Sequence, residues 1–282
     1  MAMVPTGPTR YLTKYGEQTI TVNKYTIAKL GIDGLHCTLK VGDYTILCVP
    51  FELGFKRSVF LASFSKEELE FFQKFINTMV GLSIPLNPGK RLEPVKFFLR
   101  CTLTALHPMK GRENVGLFVL DYKTSPDEMV SMLGNFMESQ DKLKTQYEDY
   151  RKTPIKMTPT VSKMMGYNLY ATITEPAAAP RRIQILSLNT KHMDHVEAAP
   201  AAAVLPSAPG ALSRKSGSRV AYHLFFKKFR IAVNGTISGS GFLPQGIIRS
   251  TAELEFSPEL VEIIDDYWYS SQKEFFEKPM RG

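Results

Sequence analysis

The stretch Ser125-Pro126-Asp127-Glu128, followed by apolar residues at Met129, Leu133, Phe136, Met137, Leu143 and Tyr147 and closed by Arg151-Lys152-Thr153-Pro154, decides how this chain divides. Ser125 is a capping residue, Pro126 suits the first helical position, and Glu128 is placed to complete a capping box. The apolar spacing predicts a helix as far as Tyr150. Pro154 has no N–H to donate and disfavours helix in the residue before it, so the helix ends there and the chain turns into a second, β-rich unit. A long helix feeding a basic hinge over residues 151–157 predicts two domains, 16–150 and 158–282. A flexible arm is expected over 1–15, where Pro5, Gly7 and Pro8 oppose regular structure.

Working outward toward the N-terminus, Asn23 caps a short helix over 24–30 that stops at Gly31. Strands are predicted over 35–40, 44–49 and 58–62, punctuated by Gly42-Asp43 and Gly54. Ser65 opens a helix with Glu67 and Glu68 beside the positive end of its dipole and an apolar stripe of Leu69, Phe72, Ile76 and Met79. Strands over 95–106 and 115–122 complete an α+β first domain.

Past the hinge, Thr158-Pro159 starts a short helix that Gly166 stops. Strands follow over 168–174 and 181–188, and residues 197–217, rich in Ala, Pro and Ser, read as a long mobile loop. Asn234-Gly235 reads as the turn of a hairpin over 219–233 and 236 onward. A strand over 246–256 leads to a helix begun by Ser257-Pro258, with Leu260, Ile263, Ile264, Tyr267 and Trp268 on one face. Five or six strands and a closing helix predict a small antiparallel barrel, making the fold α+β and mostly β.

The 282 residues suffice for two cores, and 44% hydrophobic residues speak for a globular protein. No run approaches 18 uninterrupted apolar residues and the start lacks the features of a secretory signal, so a soluble, cytoplasmic protein is expected. Cys37, Cys48 and Cys101 lie in apolar strand-like runs without paired spacing and are read as core residues. The net charge of +8 fits an anionic partner. Between residues 196 and 250, seven bases (Arg214, Lys215, Arg219, Lys227, Lys228, Arg230 and Arg249) face one acid, Glu197. The strip 214–230 therefore supports an alternative function in binding nucleic acid.

No nucleophile elbow, phosphate-binding glycine loop or zinc-protease helix is present, so no enzyme activity is expected. Gly239-Ser240-Gly241 lacks the strand-to-helix context of a dinucleotide loop and reads as a turn. His192-Met193-Asp194-His195 has ligand spacing for a metal only if helical, and is read as an exposed loop.

The Ser-Pro-Asp-Glu helix entry at 124–134, Ile-Lys-Met-Thr-Pro at 155–159 with Lys-Met-Met-Gly at 163–166, and Pro180-Arg181-Arg182 leading into a strand resemble, in order and spacing, the two-domain PilZ proteins of spirochaetal type. That resemblance, over about residues 16–268, implies a PilZ-like N-terminal α+β domain and a C-terminal six-stranded antiparallel barrel with a closing helix. It also implies a bacterial signalling protein with a motility or envelope role, a protein partner, and binding of cyclic di-GMP without any cofactor. The family's hinge carries Arg-x-x-x-Arg and its barrel Asp/Asn-x-Ser-x-x-Gly, and binding moves one domain against the other. Here the hinge offers Arg151, Lys152 and Lys156, with Pro154 near the place of the second arginine. The barrel window becomes Ser187-Leu188-Asn189-Thr190-Lys191-His192, keeping Ser187 and Asn189 but placing His192 where the family has glycine. Arg181 and Arg182, sent to opposite faces by strand alternation, are the candidates to compensate.

Overall fold

In the computed structural model the described residues are 7–34, 36–87, 93–112, 114–149, 153–176, 178–198, 216–227, 230–244 and 246–277. The chain divides into two units, Met1–Ser139 and Gln140–Gly282, so the division falls inside the long helix and before the expected boundary at 150. The physical reason lies in the second unit. There the end of that helix is held by the Tyr147 hydroxyl, which donates to the Leu254 carbonyl at 2.9 Å, and by Leu143, which is buried.

The first unit opens with α1 (Pro8–Tyr15), which corrects the expected flexible arm over residues 8–15; residues 1–6 lie outside the described residues. Pro8 fits the first turn of a helix, where its missing N–H costs nothing. Tyr15 is buried, and the Tyr11 hydroxyl donates to Asn135 at 2.6 Å. Gly134 makes room for that contact, since a Cβ there would lie 2.1 Å from the Tyr11 ring.

The elements that follow are β1 (Thr19–Thr21), α2 (Lys24–Leu30), β2 (Thr38–Val41), β3 (Tyr44–Leu47), β4 (Val49–Gly54), β5 (Arg57–Ser63), α3 (Lys66–Phe72), β6 (Met79–Leu86), β7 (Val95–Pro108), β8 (Val115–Tyr122) and α4 (Asp127–Asp149). The eight strands form one antiparallel sheet in the order β1-β4-β5-β8-β7-β6-β2-β3. Local chemistry sets several ends. Asn23 accepts from the Thr26 N–H at 3.0 Å, and Ser65 and Glu68 form a reciprocal capping box. Gly31 adopts φ 59°, where a side chain would be strained and would run into the Asn87 backbone.

Three readings are corrected in this unit. The α3 stripe does not reach Ile76 and Met79: the helix ends at Phe72, a short 3-10 turn covers Gln73–Phe75, and Asn77 at φ 66° swings the chain into β6. Gly81 and Pro85 make β6 a poor strand on propensity, yet ladders to β7 on one side and β2 on the other impose it. Ser125 does not cap α4, because its hydroxyl donates to the Phe55 carbonyl and the helix begins at Asp127. Cys37, Cys48 and Cys101 are free and buried, and burial pushes each thiol up to about 12, which keeps them protonated.

The second unit comprises β9 (Ile155–Lys156), α5 (Pro159–Met165), β10 (Tyr167–Thr174), β11 (Arg181–Leu188), β12 (His192–Ala198), β13 (Arg219–Phe226), β14 (Arg230–Leu243), β15 (Ile247–Leu254) and α6 (Pro258–Glu277). Six strands run β10-β13-β14-β15-β12-β11, and β11 returns to β10 to close an antiparallel barrel, with β9 added along β11. Alternation sends Ile173, Met193, Tyr222, Leu224 and Ala252 into the barrel, and α6 contributes Leu260 and Ile264 to the same core. Thr158 accepts from the Val161 N–H at 3.3 Å and Gly166 terminates α5 in the left-handed region.

Asn234-Gly235 is not a turn. Both residues sit within β14, opposite Ala221 and Val220, and β13 ends earlier, at Phe226. Gly235 is small because its neighbours are close, not because the chain reverses there. Likewise Gly239-Ser240-Gly241 lies in strand β14, just past a register shift between Ile237 and Gly239. Of the loop expected over 197–217, Glu197 and Ala198 belong to β12, and residues 199–215 lie outside the described residues.

Candidate ligand site on the barrel

The chain enters the second unit through β9. Ile155 pairs with Leu188 and is buried, while Lys156 pairs with Ser187 and is exposed, so this part of the hinge is laid along the rim of the window 187–192. Arg151 and Lys152 lie outside the described residues.

The window itself is the β11–β12 connection. Asn189, nearly fully buried, accepts the Lys191 N–H at 2.8 Å and the His192 N–H at 2.6 Å, so its side chain closes the turn. Thr190 donates to the Tyr147 carbonyl at 3.0 Å. Lys191 pairs with Glu148, and its ammonium lies 4.8 Å from the centre of the Tyr147 ring. His192 is exposed and absent from the residues with positive φ, so the backbone freedom of a glycine is not needed here and the histidine adds only bulk.

Ser187 faces a polar cluster on the outer wall. Asp194 accepts from the Ser187 hydroxyl at 3.4 Å, the Thr251 hydroxyl at 2.7 Å and Arg249 Nη2 at 3.1 Å. Partial burial opposes the charge on Asp194, but these hydrogen bonds and the Arg249 guanidinium outweigh it and hold the carboxyl below its ordinary value. A carboxylate whose pKa is depressed by folding contributes stability that is present above its unfolded pKa, about 3.9, and lost as pH falls through the folded value. The parent protein is therefore expected to lose barrel stability below about pH 4 through this cluster. Asp194→Asn should flatten that part of the profile in urea titrations at stepped pH, and an unaltered acid limb would refute the assignment.

Arg181 and Arg182 do point to different surroundings. Arg181 Nε donates to Glu197 at 3.0 Å, with Glu197 almost wholly buried, and its Nη2 donates to Glu175, so this guanidinium is committed to an internal pair. Arg182 is exposed, lies 5.4 Å from the centre of the Tyr170 ring, and lines a crevice of about 470 Å³ with Met157, Tyr167, Leu169 and Gln184. Of the residues expected to bind a ligand, the structure brings together Lys156 and Ser187, keeps Arg182 accessible, and uses Arg181 and Asn189 for the fold. Arg249, counted in the sequence only for its charge, and Thr251 were not among the expected ligand residues, although strand alternation from Ile247 puts both on one face.

Two other readings meet the fold as follows. His192-Met193-Asp194-His195 is a strand and not an exposed loop, so its two histidines face opposite ways, with His195 fully buried and edge-on to Tyr222 at 5.4 Å. In the basic strip 214–230 the described residues Arg219 and Arg230 are well separated. Arg219 lies opposite Thr236 and Arg230 opposite Phe225, at the two ends of the β13–β14 ladder and about 20 Å apart along it. Arg214, Lys215 and Lys228 lie outside the described residues.

Residues 8–140 match the family model of the PilZN3 domain. The chain carries a PilZN3 domain. Its second unit has the architecture of a PilZ barrel, six antiparallel strands closed on themselves and followed by a helix. Among solved structures the chain is similar to the PlzA protein of Borreliella burgdorferi in complex with c-di-GMP, with 14% identity, coverage of 92% of this chain and 97% of that one, and a TM-score of 0.44. It is also similar to YcgR of Escherichia coli in complex with c-di-GMP (11% identity, 87% of each chain, TM-score 0.31). A third is the MrkH–c-di-GMP complex of K. pneumonia (9% identity, 93% and 99%, TM-score 0.32). No curated protein sequence matches the chain. Among the described residues, no helix is long and apolar enough to cross a membrane.

Proposed function

We propose that this PilZ protein works in the cytoplasm as a receptor for cyclic di-GMP with an altered site on the outer wall of the barrel, passing the signal to a protein partner. The observation that carries the reading is the β9–β11 pairing, which sets Lys156, near the end of the hinge, beside Ser187 in the window. In this reading Arg151, Lys152 and Lys156 supply positive charge for the phosphates, Ser187 and Arg182 offer polar contacts, and Arg249 supplies a guanidinium already oriented by Asp194. Asn189 shapes the turn and does not meet the ligand. A lysine attracts phosphate as a point charge without the planar fork that grips guanine, so losing one bidentate contact weakens binding by roughly one to two decades.

Isothermal titration of the full chain with cyclic di-GMP tests this. Binding is expected, weak and enthalpic, and Arg151→Ala should abolish it while Asn189→Ser keeps it. Binding unchanged in Arg151→Ala would remove the hinge from the mechanism, and no heat in the parent protein would overturn the receptor reading.

A further inference from the structure

The outer face of the first unit's sheet carries a patch that the cyclic dinucleotide reading does not use. Along β7 the burial pattern alternates, with Phe97, Leu99 and Cys101 buried and Lys96, Phe98 and Arg100 exposed. Phe98 is 76% exposed, the most exposed large hydrophobic side chain among the described residues. An aromatic ring held in water on the middle of a strand has no role in the core, and its neighbours at two-residue spacing, about 6.6 Å to either side, are cations.

The register extends this face across three more strands. Phe98 lies opposite Ser83, which lies opposite Thr38, then Leu47; Arg100 lies opposite Gly81, which lies opposite Lys40, then Thr45. The short residues Ser83, Gly81 and Thr38 leave a shallow floor beside the ring. Lys40, Lys96 and Arg100 have no ion-pair partner among the described residues, and no carboxylate occurs in these two rows. The carboxylate that comes next along β8, Asp121 opposite Thr102, is already gripped by Arg57, with Nη2 at 2.9 Å.

We propose that this face binds single-stranded nucleic acid, with a base stacked on Phe98 and the backbone held by Lys96, Arg100 and Lys40. An exposed ring between cations that have no ion-pair partner among the described residues matches a polymer that alternates planar bases with phosphates, and every base offers a face to stack on. A duplex has its bases covered, so single strands are preferred. The site is separate from the barrel, and from the strip over 214–230 that sequence composition favoured.

The test is fluorescence anisotropy of the full chain with a labelled single strand of about twelve nucleotides in about 50 mM salt. Binding is expected, with the matching duplex a poor competitor. Phe98→Ala should weaken it roughly five- to hundredfold and Phe98→Trp should preserve it, at unchanged melting temperature since the ring is in solvent. Lys96→Gln and Arg100→Gln should each lower the slope of log affinity against log salt by about 0.7. Arg151→Ala, which tests the barrel site, should leave oligonucleotide binding as it is. No binding by the parent, equal binding by Phe98→Ala, or a poly-glutamate peptide that binds with the same dependence on Phe98 would each overturn the proposal.

Discussion

Phe118→Ala is expected to destabilise the first unit by about 3–5 kcal/mol. Phe118 is fully buried on β8, a strand with neighbours on both sides, opposite Phe60 on β5 and Leu106 on β7. Its ring packs edge-on to Phe64 at 5.2 Å, so truncation removes an aromatic pair as well as apolar area. Two hydrogen-bonded ladders hold the walls apart, and a cavity that cannot collapse sits at the costly end of the range. Since domains of this size are stable by about 5–15 kcal/mol, the variant should unfold at far lower urea concentration, with hydrogen exchange rising first in β5, β7 and β8. Phe118→Leu, which refills most of the volume, should recover much of the loss. A cost below about 1 kcal/mol for the alanine variant would mean that this core is not packed as described.

Gly235→Val is expected to cost the barrel about 3 kcal/mol, at the upper end of overpacking effects. A Cβ at this position would lie 2.7 Å from the Glu253 carbonyl oxygen, 3.2 Å from a Leu254 methyl and 3.3 Å from the Tyr222 ring. The first of these is backbone of the adjoining strand, so relief requires moving the β14–β15 ladder and not a flexible side-chain tip. Asn234, exposed in the same strand, is a control. Asn234→Thr should change stability by less than about 0.5 kcal/mol, whereas a true Asn-Gly turn would suffer from either substitution. Guanidinium titrations of the two variants separate the cases, and a tolerated valine with an unstable Asn234→Thr would restore the turn.

The same residue shows how far a sequence can be read. Asn-Gly is a strong hairpin signal because its requirement, positive φ, is local. The alternative use of a glycine, to admit a neighbouring chain, depends on a strand eighteen residues away in sequence and has no local mark. β6 was missed on the same grounds, since Gly81 and Pro85 argue against a strand that two long-range ladders impose. The arm over residues 8–15 was misread because its partners, Gly134, Asn135 and Glu138, lie on a helix far along the chain.

The candidate site divides along that line. Ser187 and Lys156 were legible from order and spacing, but their adjacency was not, because it arises from a two-residue strand pairing across thirty-one positions. Arg181 and Arg182 were correctly sent to different faces by alternation, and only the fold shows that Glu175 and Glu197 capture Arg181 while Arg182 stays accessible. For Asn189 the fold adds a role that the window did not show, since its oxygen accepts two backbone N–H groups of its own turn.

Helix starts and stops at Asn23, Gly31, Ser65, Thr158 and Gly166, the existence of strands β7, β8 and β11, and the burial of three cysteines followed from residues alone, because caps, turns and apolar runs act over a few positions. Closure of the barrel through β10 and β11, the insertion of β6, the close contact at Gly235 and the exposed Phe98 between Lys96 and Arg100 were settled by tertiary structure. Those features depend on which strand lies beside which, and pairing between distant segments is a property of the whole packed chain.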